Sequence, residues 1–351
     1  MPRTDDFTLE TKRVLAKRVG YYCSFLGCES LTTGPSDESD NATSDTGMAC
    51  HIAAASSGGS ARRYNTNMTS ATRKSAANGI WCCYTHGKLI DTDETRFSIK
   101  MLEDWKQIAE TTARIMVEKG CSYQEARKHL AFRDLIAETI NVGSLDNDSQ
   151  IIGELVKDCG VELSWGKDNA HVLRDLLIEL TRNALSHGKA TEVRLTVEDE
   201  NITIYDNGAK FNPKLGLSNG TGGTWAAAAM RKLEVDKIVW VHFYEFGQNV
   251  SRITYIGKNA NFGNITPCSL EVNRNEIYRG KFKIKINETC DDIYIVIPLY
   301  LVYSDIAVLH MAMEDFDSKG KTITLICRYV SSGVVEQAKR LLPHIQIIAV
   351  E

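Results

Sequence analysis

The sequence predicts an α+β chain built from a metal-stabilised head, a helical connector and a larger α/β sandwich, and three stretches carry that expectation. Cys23 and Cys28 form one short pair of ligand-type residues, and Cys83 and His86 form a second. From Ser98 onward apolar residues recur at helical spacing. Near the middle, Glu179, Asn183 and His187 share one helix face ahead of a hairpin and a glycine cluster.

A chain of 351 residues is long enough for two domains, each with its own core. A hydrophobic share of 43% with 25% charged residues describes a globular protein, not a disordered one. The net charge of −4 exerts no global pull on nucleic acid, so any such contact must come from a local basic patch. The acidic start, Met1-Pro2-Arg3-Thr4-Asp5-Asp6, predicts no secretory signal and hence a cytoplasmic chain. On that footing most of the 10 cysteines are expected as reduced thiols. Ile293 to Met313 is the nearest approach to a membrane span, but Pro298, Asp305 and His310 interrupt it.

In chain order, residues 7–20 place Leu9, Val14, Leu15 and Val19 among Lys12, Arg13, Lys17 and Arg18, the pattern of a short basic amphipathic helix. Cys23-Ser24-Phe25-Leu26-Gly27-Cys28 is compatible with a zinc knuckle, with Cys83-Tyr84-Thr85-His86 as its partner pair. Four such ligands make a closed tetrahedral site. Residues 32–47 are polar with nothing to bury and predict an exposed loop.

Between the pairs lie Ala49-Cys50-His51-Ile52, then Asn78-Gly79-Ile80-Trp81-Cys82-Cys83, then Lys88-Leu89-Ile90-Asp91. This arrangement resembles an HNH endonuclease module, of treble-clef or ββα-metal fold, over roughly residues 18–110. The resemblance implies that His51 is the general base that activates water on a phosphodiester. It implies that Asn78 helps hold the catalytic Mg²⁺ or Mn²⁺ or its loop, and that Cys23, Cys28, Cys83 and His86 bind structural Zn²⁺. Cys50 stands where many active members have an acidic metal ligand, and Gly87 where many have the last histidine. Arg62, Arg63, Arg73 and Lys74, with Tyr64 among them, suit either phosphate contacts or a solvated basic face.

Ile99, Leu102, Trp105, Ile108, Ala109, Ala113 and Met116 predict a long amphipathic helix that Gly120 ends, and residues 123–140 predict a second helical segment. Leu176, Leu177, Leu180 and Ala184 give the next helix an apolar side. Val193–Val197 and Ile202–Asp206 alternate around a polar turn, a hairpin that delivers Asp206 to a strand end beside Gly208. Gly216, Gly220, Gly222 and Gly223 then run into a helix-like stretch whose bare N–H groups suit a phosphate.

Helix E-x-x-x-N-x-x-x-H-G, then D-x-G, then a glycine-rich stretch resembles the Bergerat ATP-binding fold of the GHKL superfamily, over roughly residues 151–301. The resemblance implies Asn183 as a Mg²⁺ ligand, Glu179 as general base of hydrolysis and Asp206 as acceptor for the adenine amino group. Gly208, Gly216, Gly220, Gly222 and Gly223 would shape the base pocket and the phosphate lid. Ala209-Lys210 stands where many members have a further glycine. Strands expected at residues 237–244, 250–257, 281–286 and 293–301 complete that sheet, and residues 323–350 predict a strand-helix-strand appendage.

The expected organisation is therefore a nuclease-like domain over residues 1–110, a helical connector over 111–150, an ATP-binding domain over 151–301 and the appendage over 302–351. The expected function is an ATP-regulated endonuclease cutting nucleic acid, DNA above all, as a homo-oligomer without membrane contact and, by analogy, in antiphage defence. Two alternatives are a histidine-kinase-like protein, for which His129 is the candidate phosphoacceptor, and a non-cleaving zinc DNA-binding head on an ATP-dependent dimer.

Overall fold

The computed structural model describes residues 5–58, 61–130, 134–213, 229, 232–257, 266–280, 288–314 and 320–350. The chain divides into two compact units, one of residues up to 136 together with 156–166, the other of residues 137–155 and 167 onward.

The first unit opens with α1 (Leu9–Arg18), capped by the Thr8 hydroxyl. β1 (Thr33–Pro35) and β2 (Thr43–Asp45) pair antiparallel, so the polar stretch expected as a loop is a small exposed hairpin. It hides no apolar face; Asp45 accepts hydrogen bonds from Thr33 at 2.6 Å and Thr43 at 3.1 Å, which hold it instead. β3 (Gly47–His51) pairs antiparallel with β4 (Gly79–Cys83), and α2 (Ser70–Lys74) and a 3₁₀ turn at Ala76–Asn78 lie between them in sequence. α3 (Tyr84–Thr92) starts where β4 stops.

α4 (Ile99–Lys119) buries Met101, Leu102, Trp105, Ile108, Ala109 and Thr112, the one-sided pattern its sequence predicts. Ser98 caps its start and Gly120, at φ 61°, ends it. α5 (Tyr123–Lys128) is only six residues long. The helix expected through residue 140 gives way to β5 (Leu135–Val142), where Thr139, Ile140 and Val142 favour strand, so the connector is not helical throughout.

α6 (Asp148–Asp158) begins in the second unit and ends in the first, α7 (Val161–Trp165) belongs to the first, and in the second unit α8 (Lys167–Ser186) precedes the hairpin of β6 (Val193–Asp199) and β7 (Asn201–Asp206). β8 (Ile238–Glu245) and β9 (Gln248–Tyr255) follow, and the sheet order is β5-β6-β7-β9-β8. α8 turns Leu173, Leu176, Leu177, Leu180 and Ala184 inward. The strands at 193–206, 238–245 and 248–255 match their expected places.

The stretch at 293–301 does not join that sheet. β10 (Ser269–Glu271), α9 (Arg274–Arg279), β11 (Asp292–Val296), α10 (Tyr303–Glu314), β12 (Thr322–Arg328), α11 (Ser332–Leu341) and β13 (Gln346–Val350) alternate. Their strands pair parallel in the order β10-β11-β12-β13. The physical reason lies in Ile293-Tyr294-Ile295-Val296-Ile297, which is apolar on both faces, as a strand covered on both sides must be. Ile293, Ile295, Leu325 and Cys327 pack with Ile277, Ile306, Leu309, Val334 and Ala338 of the three helices. Tyr294, Val296 and Ile326 pack instead with Val239, Val241, Phe243 and Val250 of the five-stranded sheet. The expected appendage is thus part of a larger parallel layer. The stretch expected as a strand at 281–286 lies outside the described residues.

Cys268 and Cys290 form a disulfide within this second cluster, and the other eight cysteines are free thiols. Among the described residues no helix is long and apolar enough to cross a membrane; Ile293 to Met313 is β11, a loop and most of α10.

Candidate functional site

The first unit converges on a Cys/His cluster. Between Cys23 and Cys28 the chain turns sharply: Cys28 N donates to the Phe25 carbonyl at 2.9 Å, and Gly27 takes φ 80°, the left-handed region that glycine enters without strain. Cys83 ends β4, and His86 lies one turn into α3. The ligand atoms of Cys23, Cys28, Cys83 and His86 lie within 4.8 Å of one another. Tetrahedral thiolate ligation of zinc needs sulfurs about 3.8 Å apart, so this donor set fits a structural Zn²⁺. His86 Nδ1 sits 3.1 Å from Cys83 Sγ and 3.7 Å from Cys23 Sγ.

Phe25 stacks on the His86 ring at 4.0 Å and packs edge-on against Trp105 at 4.6 Å, which fixes the imidazole from behind. A hydrogen bond from the Cys82 thiol is the main reason the Cys23 thiol is lowered to about 5, whereas burial pushes Cys83 up to about 11. The lowered Cys23 thiol favours the thiolate form in which cysteine ligates zinc.

His51 closes β3, opposite Gly79. Its ring lies flat on Phe7, and its Nε2 is 3.3 Å from the Asp5 carbonyl oxygen. A carbonyl only accepts, so Nε2 carries the proton and, in the neutral ring, Nδ1 is the basic nitrogen. Asp5 is itself buried, taking a hydrogen bond from Ser70 at 2.6 Å and ion pairs from Arg73 and Lys74 at 3.6 and 3.5 Å. His51 lines a cleft of about 340 Å³ with Lys12, Arg62, Arg63, Lys88, Asp6 and Asp91.

Asn78 lies beneath the loop after His51. Its Oδ1 accepts from Ala53 N at 2.9 Å, and its Nδ2 donates to the carbonyls of Ala53 and Arg73 at 2.9 and 3.2 Å. Of the two roles the sequence leaves open, the geometry matches loop-holding. Lys106 secures the same turn through the carbonyls of Ala76 and Gly79, at 2.9 and 2.7 Å.

The two positions where the resemblance expects further ligands for a catalytic cation are filled otherwise. Cys50 is buried at 2% exposure, and Gly87 has neither a side chain nor room for one. A Cβ there would lie 2.6 Å from Met48 Sδ and 2.8 Å from Cys50 Sγ. Among the described residues, the Cys/His cluster alone brings three or more cysteine, histidine or acidic ligands close enough for an ion. The basic insert also divides. Arg63 donates to the carbonyls of Ile52 and Ile90 at 2.8 and 3.0 Å, and Arg73 to Asn65 at 2.9 Å, so both hold loops. Arg62 and Lys74 remain about 40% exposed, at 41% and 42%.

In the second unit, Glu179 and Asn183 are half-buried on α8 and His187 is exposed. Asp206 ends β7, and its Oδ1 accepts from Gly208 N at 3.0 Å and from Asn249 Nδ2 at 2.9 Å. Ala209 N donates to the Gly188 carbonyl at 2.8 Å, joining this strand end to the C-terminus of α8. Gly208 is required there: a Cβ would stand 2.7 Å from that carbonyl oxygen. Gly216, Gly220, Gly222 and Gly223 lie outside the described residues.

Asp5, Phe7, Lys106 and Asn249 escaped the sequence reading. None of the four carries a local signal in the sequence. Comparison with protein-family models, curated proteins and solved structures finds no match.

Proposed function

We propose that the chain is a nucleic-acid-directed enzyme, whose first unit cleaves phosphodiester bonds at His51 and whose second unit binds ATP at Asp206. The observation that carries this reading is His51, oriented by Phe7 and the Asp5 carbonyl, in a cleft with Lys12, Arg62 and Lys88. Those cations suit a phosphate. His51 Nδ1 takes a proton from the attacking water, whose oxygen bonds to phosphorus as the ester P–O bond breaks, and solvent protonates the leaving oxygen. No step is assigned to a divalent ion. Zinc in the treble-clef-like cluster would hold the head together.

For the second unit the reading is a Bergerat-type site. Asp206 accepts a base amino group, Asn183 helps hold a Mg²⁺ that offsets phosphate charge, and Glu179 accepts a proton from the hydrolytic water. The support is the junction of Asp206, Gly208 and the end of α8. Coupling of the units through nucleotide-dependent dimerisation, a cytoplasmic setting and antiphage defence extend the same proposal.

A second reading, a nucleic-acid-binding head that does not cut, is favoured by the packing of Met48 and Cys50 against Gly87. The kinase alternative loses support because His129 caps a six-residue helix, not a long dimerisation helix. Supercoiled plasmid and single-stranded RNA incubated with and without divalent ions and ATP separate these. Nicking that needs His51 supports the first reading, and retardation without nicking supports the second.

A further inference from the structure

Asn249 is 4% exposed and stands directly opposite Asp206 in the pairing of β7 with β9. Its Nδ2 donates to Asp206 Oδ1 at 2.9 Å and to the Ala209 carbonyl at 3.0 Å. Its Oδ1 accepts from Phe211 N at 3.1 Å. Both amide hydrogens and the amide oxygen are thus spent on one short segment, residues 206–211. Gly208 N donates to the same carboxylate oxygen, at 3.0 Å. The two donors converge on Oδ1, and among the described residues nothing donates to Oδ2.

We propose that Asn249 is a specificity-determining positioning residue: it holds Asp206 by Oδ1 so that Oδ2 meets the ligand, and so selects a nucleobase presenting an amino group over one presenting a carbonyl. The inference rests on the nucleotide reading given above. A carboxylate can only accept, so an exocyclic amino group pairs with it, while a ring carbonyl at the same place brings two lone-pair oxygens together. Discrimination of this kind requires a carboxylate that cannot swing aside or turn its other oxygen. Two donors on one oxygen supply that constraint, and one of them, the Gly208 amide, belongs to the segment that Asn249 itself braces. Removing the Asn249 amide therefore loosens both.

The test compares binding of ATP and of inosine triphosphate, which carries a carbonyl in place of the adenine amino group, to the full chain. Wild type is expected to prefer ATP by about tenfold, the scale of one buried hydrogen bond. Asn249→Ala should bring the ratio toward one. Asn249→Asp separates positioning from simple loop support, because two carboxylates in one site raise the affinity of one for a proton. At pH 8 that variant should bind both nucleotides alike. At pH 5.5 the introduced carboxyl is protonated and donates to Asp206 as the amide does, so the preference for ATP should return. A preference unchanged at pH 8, or lost without returning at pH 5.5, overturns the assignment to Asn249. Failure of the nucleotide reading looks different: wild type binds neither nucleotide, or Asp206→Ala binds ATP as tightly as wild type.

Discussion

Phe7 and His51 stack face to face, with ring centroids 3.7 Å apart and planes 3° from parallel. Phe7 precedes α1, yet it fixes the plane of an imidazole that the chain reaches forty-four residues later. The Asp5 carbonyl fixes the same ring about the other axis. Phe7→Ala should cost about 3 kcal/mol of stability in the first unit. It should also reduce cleavage about tenfold or more, because a rotating ring rarely presents Nδ1 to water. Thermal melts and initial rates at equal metal content check the two effects, and Phe7→Leu should restore much of the stability without the rate.

Removal of the cluster's cation should unfold the first unit and leave the second. Structural zinc contributes on the order of 10 kcal/mol to small modules that depend on it. Metal analysis is expected to find one zinc per chain, falling to none in Cys83→Ala, with loss of the lower of two melting transitions. Full metal content and an unchanged melt in that variant would remove the site.

Gly208→Ala should disable nucleotide binding more than its size suggests. The new methyl group would meet the Gly188 carbonyl oxygen at 2.7 Å and Asp206 Oδ1 at 3.0 Å, and backbone cannot step aside as a flexible side chain can. A destabilisation of about 1–3 kcal/mol is expected, with ATP affinity falling in step. Calorimetric titration and melting of the same preparation read both.

Asp148 and Arg182 should make the second unit acid-sensitive. Asp148 is buried, and Arg182 Nε donates to its Oδ2 at 2.6 Å, which holds its carboxyl below the usual carboxylate range. A depressed folded pKa means that this stabilisation is complete above the ordinary aspartate value near about 4 and fades as pH falls through it toward the folded value. Arg182→Met should lower the melting temperature at pH 7 and change it little at low pH, so wild type and variant melting temperatures should converge on acidification.

Local features of the fold were legible in the sequence; long-range ones were not. The Cys23–Cys28 and Cys83–His86 pairs, the 99–119 helix and the 193–206 hairpin each announce themselves through spacing or periodicity within a few turns of chain. The parallel layer did not, because a strand such as 292–296 reads the same whichever sheet it enters, and only its pairing with 269–271 and 322–326 decides. The site follows the same rule. His51, Asn78, Asp206 and Gly208 stand in recognisable motifs, whereas Phe7, Asp5 and Asn249 act across 44, 46 and 43 residues of chain respectively and carry no local mark.

Cleavage in the first unit is proposed to depend on His51. The most direct measurement is the nicking rate of supercoiled plasmid by wild type and His51→Ala, with zinc content and ATP binding confirmed equal in both. Wild type is expected to nick the plasmid, and the variant to lose that activity by about a hundredfold or more. Equal rates in the two proteins, or no nicking by wild type of either plasmid or RNA, would contradict it.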